Sequence, residues 1–344
     1  MPAHFTHALF AEESLARSLG DQGRELLAAH GNIFRFGAQG PDFFYHNQRT
    51  MPTGLRYGVV MHKGGYGGFV ESLVREALRL HAPPTGELAA FILGFVTHAP
   101  LDRHAHPFIG YFSGWVDPQK PETRRLTNCH AFLERLIDVA VLGERFAKAP
   151  MDYDFLAQVR CGKALPYTVV KAIVKGLNAT YPAMRFKSRD RKRVENAYQD
   201  TMFFYALTNH TNPHLPRLVY KRDRKDGFRE RRLALVHPLE VPGGLDVLNL
   251  KKASWCHPCD DALVSRATFL ELYDHALVDA GKGLADVFAV LSGRAPVDGL
   301  GVRIGNQSLD TGREPCVPVH CAPLPLPEVL DEMYRALGEE KDSD

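Results

Sequence analysis

The sequence has no apolar run long enough to form a transmembrane helix. Its first residues also lack the basic-then-apolar pattern of a secretory signal, because Glu12 and Glu13 interrupt the apolar segment that follows Phe5. These two absences predict a cytoplasmic protein without a membrane span.

An excess of charge of one sign is lacking as well. The net charge is +2 at pH 7, which neither favours nor excludes a polyanionic partner. Two segments, 185–193 and 221–232, are locally basic, and we expect solvated helix faces and loops there. The alternative is a positively charged rim that attracts anionic lipid or another phosphate substrate. We see no internal repeat and no low-complexity segment.

Alternation of apolar and polar residues, which marks half-buried strands, is also scarce, and the segment 232–236 is the exception. Apolar residues at helical spacing predict helices over 12–30, 68–81, 87–102, 128–146, 166–178, 196–208, 268–291 and 328–337. We therefore expect an all-α, multi-helix bundle around a central apolar helix at 87–102. The helical domain would span 1–291, with the basic segments inside 183–233. A loosely packed C-terminal extension would follow at 292–344.

Cysteine is sparse, with six in 344 residues. Cys129 and Cys161 are isolated and are expected to be buried thiols. Two close pairs follow later in the chain, Cys256 with Cys259 and Cys316 with Cys321. We favour reduced thiols packed near Trp255, with a separate structural zinc site as the alternative. A disulfide is the least expected outcome in a reducing compartment.

Histidine, in contrast, is abundant, and its spacing is informative. His98, Asp102 and His106 follow one another at intervals of four, which places them on one face of a helix. His130 and Glu134 repeat this interval one helix later. Imidazole and carboxylate groups are zinc ligands, and an aspartate can bridge two ions. Because a buried carboxylate without a partner is costly, the five residues together predict a metal site.

Three further candidates lie nearer the N-terminus. His7 opens an amphipathic segment, Asp42 follows Gly-Pro and precedes three aromatic residues, and His62 stands just before Gly-Gly. Each is a weak signal alone, because a histidine on an apolar helix is usually a core or capping residue. Their order along the chain gives them weight.

That order resembles the zinc-dependent phospholipase C family: His, Gly-Pro-Asp-aromatic, His, HxxxD with a following His-Pro, and HxxxE. The resemblance covers residues 4–134 and implies an all-helical enzyme with a zinc cluster. It implies one zinc ion held by Asp42, His62, His98 and Asp102, and a second held by His106, His130 and Glu134. His7 would contribute to a third ion beside a bridging Asp102.

In exported members of that family, a mature N-terminal tryptophan completes the third site. This chain begins Met1-Pro2-Ala3-His4 instead. Either His4, water or substrate completes the site, or two ions bind, so we expect two or three Zn²⁺ ions. Asp42 stands where the family has its candidate general base or water-orienting carboxylate. The resemblance thus implies hydrolysis of a phospholipid or related phosphodiester by metal-activated water, with peripheral membrane contact.

Two other functions stay open. One is a zinc phosphoesterase or nuclease acting on a nucleotide or nucleic acid, which is disfavoured because the basic segments lie far from the ligands in sequence. The other is a non-catalytic helical domain stabilised by metal. Phe43, Phe44 and Tyr45 could form an aromatic wall that suits a quaternary ammonium group. At least two of the three are expected to pack in the core.

Overall fold

The computed structural model describes residues 4–184, 189–208, 212 and 214–339. This part of the chain contains twelve α-helices and one small antiparallel sheet, which confirms the all-α class. The helices are α1 (His4–Ala38), α2 (Leu55–Lys63), α3 (Tyr66–Arg79), α4 (Glu87–Ser113), α5 (Cys129–Phe146), α6 (Phe155–Val159), α7 (Tyr167–Thr180), α8 (Asp190–Leu207), α9 (Leu215–Lys225), α10 (Phe269–Leu291), α11 (Leu300–Ile304) and α12 (Leu326–Glu339). The strands are β1 (Trp255–His257) and β2 (Asp260–Ser265).

Helix α4 is the central element, and it packs against α1 and α10. Two glycines allow α1 to approach α4 closely. A Cβ atom on Gly94 would lie 2.0 Å from the carbonyl oxygen of Phe34, and one on Gly37 would lie 2.3 Å from that of Phe91. The expected end of α4 at residue 102 is wrong, because the helix continues through Pro100 and Pro107 to Ser113. Burial of nearly the whole helix outweighs the hydrogen bonds that the prolines remove. No helix in the described part of the chain combines the length and apolar character needed to cross a membrane.

Helix α1 reverses direction, which the expected helix at 12–30 does not anticipate. Its backbone is non-helical at Gly20 and His30. The two arms then lie side by side, since Arg35 pairs with Glu12 and the Gln39 side chain donates to the carbonyl oxygen of His4 at 3.3 Å. The beginning of α1 and the turn that follows it therefore meet at the same place beside α4.

Most other helices lie close to their predicted ranges. Thr268 caps α10 as expected, and its hydroxyl accepts the backbone N–H of Glu271 at 3.1 Å. The expected strand at 232–236 is wrong, because Arg232–Leu235 forms a 3₁₀ turn. Because the N–H of Leu233 donates to the carboxylate of Asp223, this backbone group is satisfied without a neighbouring strand. The two strands that do form, β1 and β2, lie in a segment for which the sequence predicts no strand.

The C-terminal extension packs more tightly than expected. Leu300, Leu309 and Leu326 are all fully buried, the first two in the main core. The expectation of loose packing is therefore wrong for this part, because these leucines bury apolar surface against the helices. A domain boundary at 291 stays a prediction. The acidic end at 340–344 and residues 185–188 of the first basic segment lie outside the described residues.

Cysteine pairing also departs from expectation. Cys259 forms a disulfide with Cys316, across 57 residues, while Cys256 and Cys321 are free. The reduced-thiol interpretation is therefore wrong for Cys259 and Cys316 but agrees with the free Cys256 and Cys321, and a zinc site built from both pairs is wrong. Cysteines that are close together in the sequence are not bonded to each other. Backbone hydrogen bonds instead hold the chain after Cys316 beside the hairpin, since the N–H groups of Val319 and His320 donate to the carbonyl oxygen of Pro258 at 2.8 and 2.9 Å.

Candidate metal centre

All eight side chains proposed as ligands from the sequence converge around the C-terminal half of α4. They form three groups: His7 with Asp42 and His98; His62 with His98 and Asp102; and His106 with His130 and Glu134. Within each group, the nearest ligand atoms lie within 4.8 Å of one another. The elements that carry them are α1, the 3₁₀ turn Gly40–Phe44, α2, α4 and α5. Their roles as ligands stay predictions, but their proximity is a property of the fold.

The first two groups share His98, and Asp102 of the second group also contacts His7 of the first. Oδ2 of Asp102 lies 2.9 Å from Nε2 of His98 and 3.8 Å from Nε2 of His62, while its Oδ1 lies 3.1 Å from Nε2 of His7. Asp42 faces the same space, with Oδ1 3.1 Å from Nε2 of His62. The two oxygens of Asp102 thus face different histidines, as a bridging carboxylate requires.

The third group lies on the side of α4 that faces α5. Nε2 of His130 lies 2.9 Å from Oε1 of Glu134, and Nε2 of His106 lies 3.8 Å from the same oxygen. The side chain of His130 is 40% exposed, whereas those of His106 and Glu134 are buried. This group is therefore open to solvent on one side.

Backbone carbonyl groups fix the orientation of three imidazoles. Nδ1 of His62, His98 and His106 lies 2.8, 3.1 and 2.8 Å from the carbonyl oxygens of Gly58, Ala38 and Leu309, respectively. Because a carbonyl can only accept, Nδ1 carries the proton in each ring. The Nε2 lone pair is then directed at the carboxylates, as in histidines whose second nitrogen is held by an outer hydrogen bond.

The inner polar atoms lack partners of their own. Both carboxylate oxygens of Asp42 and Asp102 are buried without a well-formed hydrogen bond to a described residue. The same is true of Nε2 in His7, His62, His98 and His106. Burying such groups unsatisfied is costly, and a metal ion would satisfy them together. The site can therefore hold a metal ion.

Electrostatics favours the metal-binding form of most of these groups, but at His62 burial, which acts to lower the pKa, is outweighed by the carboxylate of Asp42, and the pKa is raised. Burial acts to raise the pKa of Asp42, but His98 and His62 hold that pKa below its ordinary value. At Asp102, burial is likewise opposed by His98 and His106, and the pKa is well below the ordinary value. Burial lowers the pKa of His7. Ionised carboxylates and neutral imidazoles are the forms that coordinate a cation.

A cleft of about 510 Å³ opens onto the third group. It is lined by Lys63, His106, Gly110, Gly114, Trp115, His130, His257, Pro258, Ser308, Asp310, Thr311, Pro315, Cys316, Val317 and Pro318. Lys63 is the one lysine or arginine among these described lining residues. The second basic segment is partly neutralised elsewhere, since Arg231 pairs with Asp331 and Arg232 with Asp223. The described residues that line this cleft therefore do not form a basic rim.

The C-terminal extension supplies parts of the site that the sequence did not identify. Leu309 contributes the carbonyl oxygen that holds His106, and Ser308, Asp310 and Thr311 line the cleft. Burial and the Asp310 carboxylate raise the pKa of the Tyr45 hydroxyl. A backbone carbonyl has no sequence signature, and no motif marks residues 308–311.

The three aromatic residues after Asp42 divide as expected. Phe43 and Phe44 are buried in the core, with ring centroids 4.1 Å apart. Tyr45 is partly buried, and its ring centroid lies 4.9 Å from that of His62. One aromatic ring of the three therefore borders the candidate ligands.

Several other histidines lie outside the three groups. Nε2 of His4 lies 3.3 Å from Nη2 of Arg135, so His4 does not complete the group that contains His7. His46 stacks on the ring of Phe204 at 4.3 Å. His104 is partly exposed, and its Nε2 lies 3.0 Å from a carboxylate oxygen of Asp279.

Comparisons with known proteins do not suggest a function, so the functional proposal is based on the geometry of the site. No protein-family model matches the chain, and no curated protein or solved structure is significantly similar to it.

Proposed function

We propose that the protein is a zinc-dependent phosphodiester hydrolase of phospholipase C type. The observation that carries the proposal is the pair of buried carboxylates, Asp42 and Asp102, which have no well-formed hydrogen bond to a described residue and are ringed by imidazoles. The order of these residues along the chain is also the order that resembles the phospholipase family.

Zinc suits the donor set, because imidazole nitrogen and carboxylate oxygen are its ordinary protein ligands. Asp102 would be a ligand, since its two oxygens face His7 on one side and His62 and His98 on the other. His106, His130 and Glu134 would hold a further ion beside the cleft. Bound zinc would act as a Lewis acid on the phosphodiester and would lower the pKa of a coordinated water.

The residues of the chain then have distinct tasks. Asp42 is ionised, since its pKa is held below the ordinary value, so it can orient the attacking water or accept a proton from it. Lys63 lines the cleft and places a positive charge near the phosphate. The buried walls around His62 and His98 exclude bulk water, which strengthens these interactions.

The open side of the third group favours catalysis over a structural role. Structural zinc sites are enclosed by four protein ligands, whereas catalytic sites keep a position for water or substrate. His106, His130 and Glu134 provide three side chains, and the cleft lies beside them.

The border of the cleft favours a lipid-like substrate. Val317, which lines it, is 79% exposed, and Trp115, Pro315 and Pro318 lie around it. Nucleic-acid binding depends on phosphate contacts from several lysines and arginines. Lys63 is the one such residue among the described lining residues. An apolar border with little positive charge suits a lipid surface without net charge.

Hydrolysis assays on the zinc-loaded protein test the proposal. The substrates are a monomeric short-chain phosphatidylcholine, phosphatidylcholine vesicles, bis-p-nitrophenyl phosphate and single-stranded DNA. We expect phosphodiester cleavage that a chelator abolishes and zinc restores, with kcat lowered about 10²–10⁴-fold by Asp42→Asn. Asp279→Asn, on the exposed face of α10, is the control. Hydrolysis of DNA without hydrolysis of either lipid would overturn the phospholipase assignment.

A pair of surface variants tests the lipid-facing border. Val317→Glu places a charge beside the cleft, whereas Val302→Glu places it at an equally exposed site on α11. We expect Val317→Glu alone to slow hydrolysis of vesicles, with hydrolysis of the soluble diester unchanged. Equal rates for both variants on vesicles would refute the role of this border.

A further inference from the structure

One residue of the C-terminal extension contacts ligands from two of the three groups. The backbone N–H of Leu309 donates to the carbonyl oxygen of His62 at 2.7 Å. The carbonyl oxygen of Leu309 accepts from Nδ1 of His106 at 2.8 Å. Leu309 is fully buried. The position of this residue therefore fixes the ring of His106 and the end of α2 at once.

The chain around Leu309 is anchored on one side by the β-hairpin. Nε2 of His257, at the end of β1, donates to the carbonyl oxygen of Thr311 at 2.9 Å. Two residues further along the hairpin, Cys259 is bonded to Cys316. The disulfide is the covalent connection between the hairpin and the 308–316 segment.

On the α4 side, the chain just before this segment is held by Arg103. Its Nη1 and Nη2 donate to the carbonyl oxygens of Ile304 and Gly305, both at 2.9 Å. Gly312 packs directly on α4, since a Cβ atom there would lie 2.4 Å from the carbonyl oxygen of Arg103. The segment is thus fitted between α4 and the hairpin, and the disulfide closes the hairpin side.

We propose that the Cys259–Cys316 disulfide controls metal retention by holding the 308–316 segment against His62 and His106. This inference rests on the proposed zinc centre. Reduction by a dithiol would break the S–S bond with two electrons and two protons, giving two cysteine thiols and the oxidised reductant. The released segment would then no longer hold Leu309 against His106, and the zinc ion of that group would dissociate faster.

The disulfide is placed where a reductant can reach it. Cys316 is exposed and lines the cleft, and Cys259 is partly exposed. Disulfides persist in oxidising compartments and are reduced in the cytosol. The metal-retaining state would therefore belong to an oxidising environment, and the labile state to a reducing one.

Zinc-release kinetics distinguish this role from that of a simple cross-link, which would change unfolding without changing zinc release. The test compares wild type, the double variant Cys259→Ser/Cys316→Ser and the control Cys321→Ser, each loaded with zinc and mixed with excess chelator. We expect about 10–100-fold faster release of one ion from the double variant, the range for losing an outer partner of a histidine ligand. Cys321→Ser keeps the disulfide and should match wild type.

A second variant moves the segment without touching a cysteine. Gly312→Ala forces the segment away from Arg103, and Gly293→Ala is the control, with a similar left-handed backbone (φ +70 against +66) and no atom within 4 Å. We expect faster zinc release from Gly312→Ala alone. If the double serine variant does not fold, reduction of folded wild type with a phosphine supplies the same comparison.

The outcomes separate the two proposals. Equal release from wild type, reduced wild type and Gly312→Ala would overturn this inference and leave the zinc centre standing. A wild-type protein that holds no zinc would overturn both.

Discussion

Gly40 is the position at which a single methyl group should most disturb the candidate metal centre. Its φ of +55 lies in the left-handed region, and a Cβ atom there would lie 2.2 Å from Cγ of His98. Relief of this overlap requires the ring to move by more than about 1 Å, since carbon atoms pack at about 3.5–4.0 Å. Zinc–nitrogen bonds tolerate about 0.2 Å.

The loss of stability caused by Gly40→Ala is the sum of two contributions. The left-handed backbone costs about 1–2 kcal/mol for a residue with a Cβ atom, and the overlap costs about 1–3 kcal/mol more. The free energy of unfolding should fall by about 2–5 kcal/mol. Zinc affinity should fall by more than the about 10–100-fold expected for losing an outer hydrogen-bond partner, because His98 itself is displaced.

Chemical denaturation and zinc titration against a competing chelator measure the two effects. Gly227→Ala is the matched control, since its φ is +67 and no atom lies within 4 Å of the added Cβ. Its free energy of unfolding should fall only by the cost of the left-handed backbone, about 1–2 kcal/mol, and its zinc affinity should be unchanged. If Gly40→Ala binds zinc as tightly as Gly227→Ala, His98 is not a ligand and the reasoning fails.

Two further predictions concern stability. Burial raises the pKa of Asp138 to about 6, above its unfolded value of about 3.9. Between these two values the folded state binds a proton that the unfolded state does not. The stability of wild type relative to Asp138→Asn should therefore rise as pH falls from about 7 to 4. Denaturant unfolding at several pH values in the presence of a chelator tests this, and a pH-independent difference would contradict it. Gly94→Ala would place a Cβ 2.0 Å from a carbonyl oxygen of α1 and should destabilise the protein by about 1–3 kcal/mol. Gly143→Ala, which is helical with open space around it, should instead stabilise by about 0.5–1 kcal/mol; thermal unfolding that ranks the two alike would refute the close contact of α1 with α4.

The sequence predicts the all-α class and the alignment of His98, Asp102 and His106 because both depend on local spacing. His98, Asp102 and His106 share a face only if α4 is helical through all three, and burial keeps it so past Pro100. The interval of four residues is therefore enough to predict this part of the site. His7 and Asp42 join it because α1 turns back on itself, and their order along the chain gave that expectation only by resemblance.

What could not be predicted depends on contacts between distant segments. Leu309 reaches His106 through a backbone carbonyl, which any residue possesses. Cys259 pairs with Cys316 rather than with its neighbour in sequence because backbone hydrogen bonds align the hairpin with the extension. Gly and Pro in the extension suggest loose packing, yet its leucines are buried. Composition does not encode such tertiary contacts.

A metal cluster that includes Asp102 underlies the proposed activity, and elemental analysis of the purified protein tests for it. Wild type should contain two or three zinc ions per chain. Asp102→Asn should lose most of them, because that carboxylate faces His7 on one side and His98 on the other. Asp279→Asn, an exposed acidic residue on α10, should retain the wild-type content. One zinc ion or none in wild type, unchanged by Asp102→Asn, would contradict the account.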